Sequence, residues 1–201
     1  MQFAKRLALV ATASLLALTA QAAVKVGEPA PNFSLPGDDG KPHTLADYKG
    51  KTVVLEWTND GCPFVKKQYS GGNMQSLQKT YTAKDVVWLS MISSAPGKQG
   101  SVDAAGAAAL SNSRGAAPTH VLLDPKGEVG RLYAAKTTPQ VFIVDASGKL
   151  AYAGGIDSIA SADPADIATA TPYVKNALDE LLAGKAVTTA VTKPYGCSIK
   201  Y

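Results

Sequence analysis

Apolar and polar positions fall into short blocks along the chain, and the first block differs from the rest. It runs from residue 7 to residue 18 behind the basic pair Lys5 and Arg6, and Ala20-Gln21-Ala22 follows it. A basic start, a brief apolar run and small residues two apart are the layout of a secretory signal cleaved near Ala22, and the run is too short to span a bilayer comfortably. Beyond it, residues 26–35 carry Pro29 and Pro31, whose fixed φ predicts an extended segment. The β-branched, apolar run at 52–57 predicts a buried strand. A helix is expected to begin at Pro63, where the missing N–H costs nothing, and to reach about Tyr81 with a break at Gly71-Gly72.

Residues 85–92 read as a second strand, and the Ala-rich stretch 101–110 as a helix with Asp103 near its start and Gly115 past its end. A short strand at 120–123 closes on the turn Asp124-Pro125-Lys126-Gly127, and residues 128–134 suit one or two helical turns. Residues 140–144 and 149–153 form a hairpin across Asp145-Ala146-Ser147-Gly148. Val174, Ala177, Leu178, Leu181 and Leu182 recur at helical spacing, so 172–182 is the last helix, stopped by Gly184. The tail from 185 to 201 is β-prone. No repeat or linker interrupts this order, which predicts one α/β domain over residues 23–201: a central mixed β-sheet flanked by helices on both faces.

Composition narrows the function. Of 201 residues, 46% are hydrophobic and 18% charged, enough for a packed core and too little charge for a disordered chain. Removing residues 1–22 lowers the formal charge from +4 to +2, and no Lys/Arg cluster is dense enough to suggest a nucleic-acid partner. No second apolar stretch reaches membrane-spanning length, so the exported chain is expected to have no membrane contact after cleavage, and a periplasmic or secreted location. Two cysteines exclude a disulfide-dense scaffold and a Cys₄ metal centre, and leave one bridge or one reactive thiol with a partner.

Cys62 lies between the end of a strand and the start of a helix. There the helix dipole and free N–H groups favour a thiolate, and Lys66 and Lys67 add positive charge on the same helix. The competing reading is an inert buried cysteine.

The segment Gly27-Glu28-Pro29-Ala30-Pro31-Asn32-Phe33-Ser34-Leu35, the stretch 53–69 and Thr138-Pro139-Gln140-Val141-Phe142-Ile143-Val144-Asp145-Ala146-Ser147-Gly148 together resemble the redoxin superfamily, which includes peroxiredoxins and bacterial thioredoxin-like proteins. Cys62-Pro63-Phe64-Val65-Lys66-Lys67 and the C-terminal Gly196-Cys197-Ser198-Ile199-Lys200-Tyr201 are similar to a peroxiredoxin-like bacterial subgroup. The resemblance implies a thioredoxin-like fold with Cys62 as nucleophile. It also makes Thr138-Pro139 the cis-proline loop that lies against the sulfur, with Pro63 and Asn59 as further substrate-facing positions. Three departures stand out. Val65 replaces the second cysteine of Cys-x-x-Cys, Asn59 replaces the Thr or Ser that binds peroxide, and Pro139 occupies the place of the peroxide-polarising arginine. Arg114 and Arg131 are the remaining guanidinium candidates.

Cys197 is the only partner for Cys62. It resolves an intermediate at Cys62 from a tail that approaches and withdraws, forms a static staple with it, or resolves across a dimer. Glu56, just before the site, is open between a proton shuttle and a solvent-facing residue. His43 and His120 are expected to be structural or exposed, and no metal or cofactor is expected. Trp57 and Trp88 read as core, and Asp163 with Asp166 as a solvated loop and helix start. The leading expectation is an exported thiol–disulfide oxidoreductase that uses a thiol reductant and a disulfide substrate. A hydroperoxide reductase, and a non-catalytic binding module with a structural Cys62–Cys197 bridge, are the alternatives.

Overall fold

Five strands form the centre of the molecule in a computed structural model that describes residues 24–201; the expected signal at 1–22 lies outside the described residues. Their order is β5-β4-β3-β7-β8, with β3 (Val53–Trp57), β4 (Val87–Ile92), β5 (His120–Leu123), β7 (Gln140–Val144) and β8 (Leu150–Gly154). β3 runs parallel to β4, and β4 to β5, whereas β7 and β8 are antiparallel to their neighbours. Every residue of β3, β4 and β7 is buried, as near-continuous apolar runs require of strands covered on both faces. The mixed sheet and thioredoxin-like architecture match the expectation.

Alternation along β3 divides the core. Val53, Leu55 and Trp57 face one layer with Leu89, Met91 and Phe142, under the extended N-terminal segment (Phe33, Leu35) and α4 (Glu128–Leu132). Val54 faces the other with Trp88, Val141 and Ile143, beneath α1 (Pro63–Ser70), α2 (Asn73–Thr82) and α5 (Tyr173–Leu182). Full burial of a side chain such as Leu55 or Ile143 stabilises the fold by about 1.5–3 kcal/mol. The break between α1 and α2 comes at Gly72, whose φ of +72° a side chain would resist. α3 (Ala104–Ser113) starts three residues later than its composition suggests, because Asp103 caps it by accepting from the Gly106 N–H at 2.8 Å.

The C-terminal tail is built into this frame. β9 (Cys197–Ser198) pairs antiparallel with β6 (Thr137–Thr138), in register Thr138↔Cys197. Ile199 enters the core beyond it, and the Tyr201 hydroxyl donates to the Ala135 carbonyl at 2.8 Å. Tyr201 packs over Gly127 and Gly130, where any Cβ would collide with its ring. A hairpin of β1 (Ser34–Pro36) and β2 (Pro42–Thr44) lies against the β5 edge. Among the described residues, no helix is long and apolar enough to cross a membrane.

Candidate active site

The carboxyl end of β3 delivers Thr58 and Asn59 into a tight loop, and Cys62 follows as the N-cap residue of α1 with Pro63 in the first turn. Cys62 is fully buried. Its Sγ lies 2.7 Å from Cys197 Sγ and 3.1 Å from the Thr138 carbonyl oxygen, which accepts from the thiol. The Thr138–Pro139 bond is cis. Four of the six site residues read from the sequence therefore converge: Cys62, Cys197, Thr138 and Pro139.

The two sulfurs are not equivalent. Burial raises the Cys62 thiol pKa, but hydrogen bonds from the Cys197 side chain and from the Val65 and Cys197 N–H groups outweigh it and leave the pKa lowered from the ordinary 9.0. Burial and the hydrogen bond with Cys62, together with repulsion from it, push Cys197 up to about 11. One thiol is prepared to ionise and its partner to stay protonated.

The residues around them are organised differently from the sequence reading. Lys67 does not lend free charge to the sulfur. It is buried, with Nζ 2.9 Å from the Ile159 carbonyl and 3.7 Å from Asp157. Asp157 also accepts from Gln68 at 2.7 Å and from the Tyr195 hydroxyl at 2.6 Å, and Tyr195 packs edge-on against Phe64. The tail is thus fastened to α1 two residues before Cys197. Glu56 is neither solvent-facing nor at the sulfur. It is fully buried and accepts from Tyr69, Gln78, Trp88 and Ser90 at 2.8–3.1 Å. Asp157 and Tyr195 were not anticipated; a buried aspartate shows no local pattern, although the aromatic flanking Gly196-Cys197 was a usable signal.

A family model described as AhpC/TSA matches residues 26–153, which take in the extended start, Cys62 and the cis-proline loop. The chain belongs to the AhpC/TSA family. Similar solved structures agree. A conserved, uncharacterized protein of Geobacillus kaustophilus is 28% identical over 88% of this chain and 92% of its own, with a TM-score of 0.76. A hypothetical protein of Sinorhizobium meliloti 1021, 23% identical over 90% and 96%, superposes with a TM-score of 0.74 and shows the same fold. A candidate thiol:disulfide interchange protein DsbE of Chlorobium tepidum is 27% identical over 64% of this chain and 83% of its own, with a TM-score of 0.52. No curated protein matches the sequence.

As an AhpC/TSA protein the chain is a redoxin of the thiol–disulfide oxidoreductase class, and its departures from the peroxidase pattern acquire a geometry. The Asn59 side chain is engaged within the loop: its Nδ2 donates to the Gln99 carbonyl at 3.0 Å and its Oδ1 accepts from the Gly61 N–H at 2.9 Å. Arg114 stacks on the Tyr69 ring at 3.8 Å, two turns along α1 from Cys62, and Arg131 lies 4.5 Å over the Tyr201 ring. Neither guanidinium makes a hydrogen bond to the sulfur. Among the described residues, the buried Thr138 hydroxyl has no hydrogen-bond partner, and it stands in the loop that meets Cys62.

Proposed function

We propose that this redoxin is an exported thiol–disulfide oxidoreductase in which Cys62 is the nucleophile and Cys197 the resolving thiol. The observation that carries the reading is the pairing of the two sulfurs at 2.7 Å with opposite acidities, Cys62 lowered and Cys197 pushed to about 11. Export rests on the leader-like pattern of residues 1–22. Because the tail covers Cys62, substrate enters after β9 opens locally from β6.

The Cys62 thiolate then attacks one sulfur of a substrate disulfide. A mixed disulfide forms, and the other substrate sulfur leaves as a thiolate that takes up a proton. Return of the tail brings Cys197 to the Cys62 sulfur. Cys197 loses its proton as it attacks, the second substrate thiol leaves, and a Cys62–Cys197 disulfide remains. An external dithiol reduces it and completes the cycle. Thr138 and Pro139 bound the nucleophile opposite α1, and Pro63 is exposed beside it. In this scheme Asn59 shapes the loop through its contacts with Gln99 and Gly61.

Rapid-mixing kinetics of the reduced protein with hydrogen peroxide and with a small aromatic disulfide test this choice. The expected result is faster reaction with the disulfide, abolished by Cys62→Ser. Faster reaction with peroxide would favour the hydroperoxide reductase, in which the thiolate cleaves the O–O bond to give a sulfenic acid. Reaction with neither, together with a bridge inert to dithiols, would leave the binding module.

A further inference from the structure

At the β5 edge of the sheet, the turn between β1 and β2 folds onto the start of β5 and brings two histidines and two aspartates together. Backbone contacts fix the approach: Gly37 pairs with Leu122, and the Asp38 N–H donates to the Val121 carbonyl at 2.9 Å. The His43 and His120 rings stack with centroids 3.9 Å apart and planes inclined by 34°. Gly37 gives the His43 ring its place, since a Cβ there would stand 2.6 Å from its Cδ2.

His43 is held from both sides. Its Nδ1 meets the Tyr48 hydroxyl at 2.9 Å and its Nε2 meets Asp39 Oδ1 at 2.9 Å. Donor atoms of Asp39, His43 and His120 all lie within 4.8 Å of one another, and Asp38 Oδ1 is 3.7 Å from His120 Nδ1.

We infer that Asp39, His43 and His120 form a binding site for a borderline divalent cation of the zinc(II) class, with water or Asp38 in the fourth position. Two imidazole nitrogens and a carboxylate oxygen are donors that zinc accepts in tetrahedral sites. At bond lengths near 2.0 Å, the ligand atoms of a tetrahedron are about 3.3 Å apart. The 2.9 Å separation of Nε2 and Oδ1 already approximates one edge, and a side-chain rotation of His120, on an edge strand, closes the others. The ion takes the place of the proton between Nε2 and Oδ1. That proton returns to the same ring at Nδ1 through solvent, so His43 stays neutral and its Nδ1–H donates to the Tyr48 oxygen, the outer contact that commonly orients a ligating histidine. The bound ion ties the hairpin to the sheet edge.

The site is separate from Cys62, and its test keeps thiols out. The full chain, oxidised so that both cysteines are bridged and stripped of metal by a chelator, is titrated with zinc(II) by calorimetry and with cobalt(II) by visible absorption. One equivalent of each is expected, the cobalt spectrum showing d–d bands without thiolate charge transfer. His43→Gln and His120→Gln should each weaken binding at least ten-fold, and Tyr48→Phe by a smaller factor. Asp39→Asn, which keeps an oxygen for the hairpin, is the variant to use if a histidine variant fails to fold. Zinc should raise the Tm of the parent chain, and at the same zinc concentration should raise that of the His43, His120 and Asp39 variants by less. Absence of binding, or binding unchanged in the folded variants, would overturn the inference.

Discussion

Gly196 is the residue through which the placement of Cys197 can be tested. Its φ is +134°, and a Cβ on it would collide with the Thr138 carbonyl, the same carbonyl that meets the Cys62 thiol. Gly196→Ala therefore imposes strain of about 1–3 kcal/mol wherever the tail is docked. In the reduced protein the tail relieves that strain by leaving Thr138. In the Cys62–Cys197 disulfide it has no such escape, so the penalty appears in the oxidation equilibrium. A penalty of about 2 kcal/mol corresponds to about 30-fold less disulfide at a fixed glutathione ratio. The same undocking uncovers Cys62 and speeds its alkylation. Both quantities are read by quenching samples with a thiol-alkylating mass tag across a glutathione series and in a time course. A Gly196→Ala protein with unchanged disulfide equilibrium and unchanged Cys62 alkylation would show that strain at the docked tail has no bearing on the sulfur pair.

The other expectations follow from the same contacts. Cys62 should be alkylated by iodoacetamide with a midpoint below the ordinary thiol pKa of 9.0, because its folded pKa is lowered; Cys197→Ala removes the side-chain donor that favours the thiolate, so the midpoint should move upward and the rate at pH 7 should fall. An unchanged midpoint in Cys197→Ala would mean that the Val65 and Cys197 backbone N–H groups set the acidity without the second thiol. Glu56→Ala strands the donors of Trp88, Gln78 and Ser90 in the core, and should cost about 3–5 kcal/mol in urea unfolding; Glu56→Gln should cost less. Lys67→Met leaves Asp157 without its cation and should destabilise by about 3 kcal/mol, with faster Cys197 labelling because the unpaired Asp157 is the acceptor that holds the Tyr195 hydroxyl and the ammonium over the Tyr195 ring is gone. A Lys67→Met protein as stable as the parent would show that Gln68 and Tyr195 suffice for Asp157.

The sheet was legible because its strands are short apolar runs bounded by turn residues, and the nucleophile because a Gly-Cys-Pro sequence stands where a strand gives way to a helix. Within the site, Cys62 and Thr138-Pro139 could be named from local motifs. The remainder lay in contacts between distant segments. Gln68 and Asp157 are 89 positions apart, and Glu56 meets Trp88 across 32, so neither network has a local periodicity to betray it. The tail reads locally as a free carrier because Cys197 follows Pro194 and Gly196, residues that signal a loop. Its docking depends on room made elsewhere, by Gly127 and Gly130 beneath Tyr201. His43 and His120 look isolated in sequence for the same reason; only the β1–β2 turn brings them together.

The proposed cycle requires that Cys62 reacts first and Cys197 resolves. Mass spectrometry of acid-quenched samples, after one equivalent of a small aromatic disulfide is mixed with the reduced protein, addresses it directly. The parent chain should release both aromatic thiols and lose two hydrogens, with the bridge mapped to Cys62 and Cys197. Cys197→Ser should stop at one aromatic thiol carried on Cys62. A parent chain that retains the aromatic group on Cys62, or a Cys62→Ser protein that reacts as fast through Cys197, would contradict the claim.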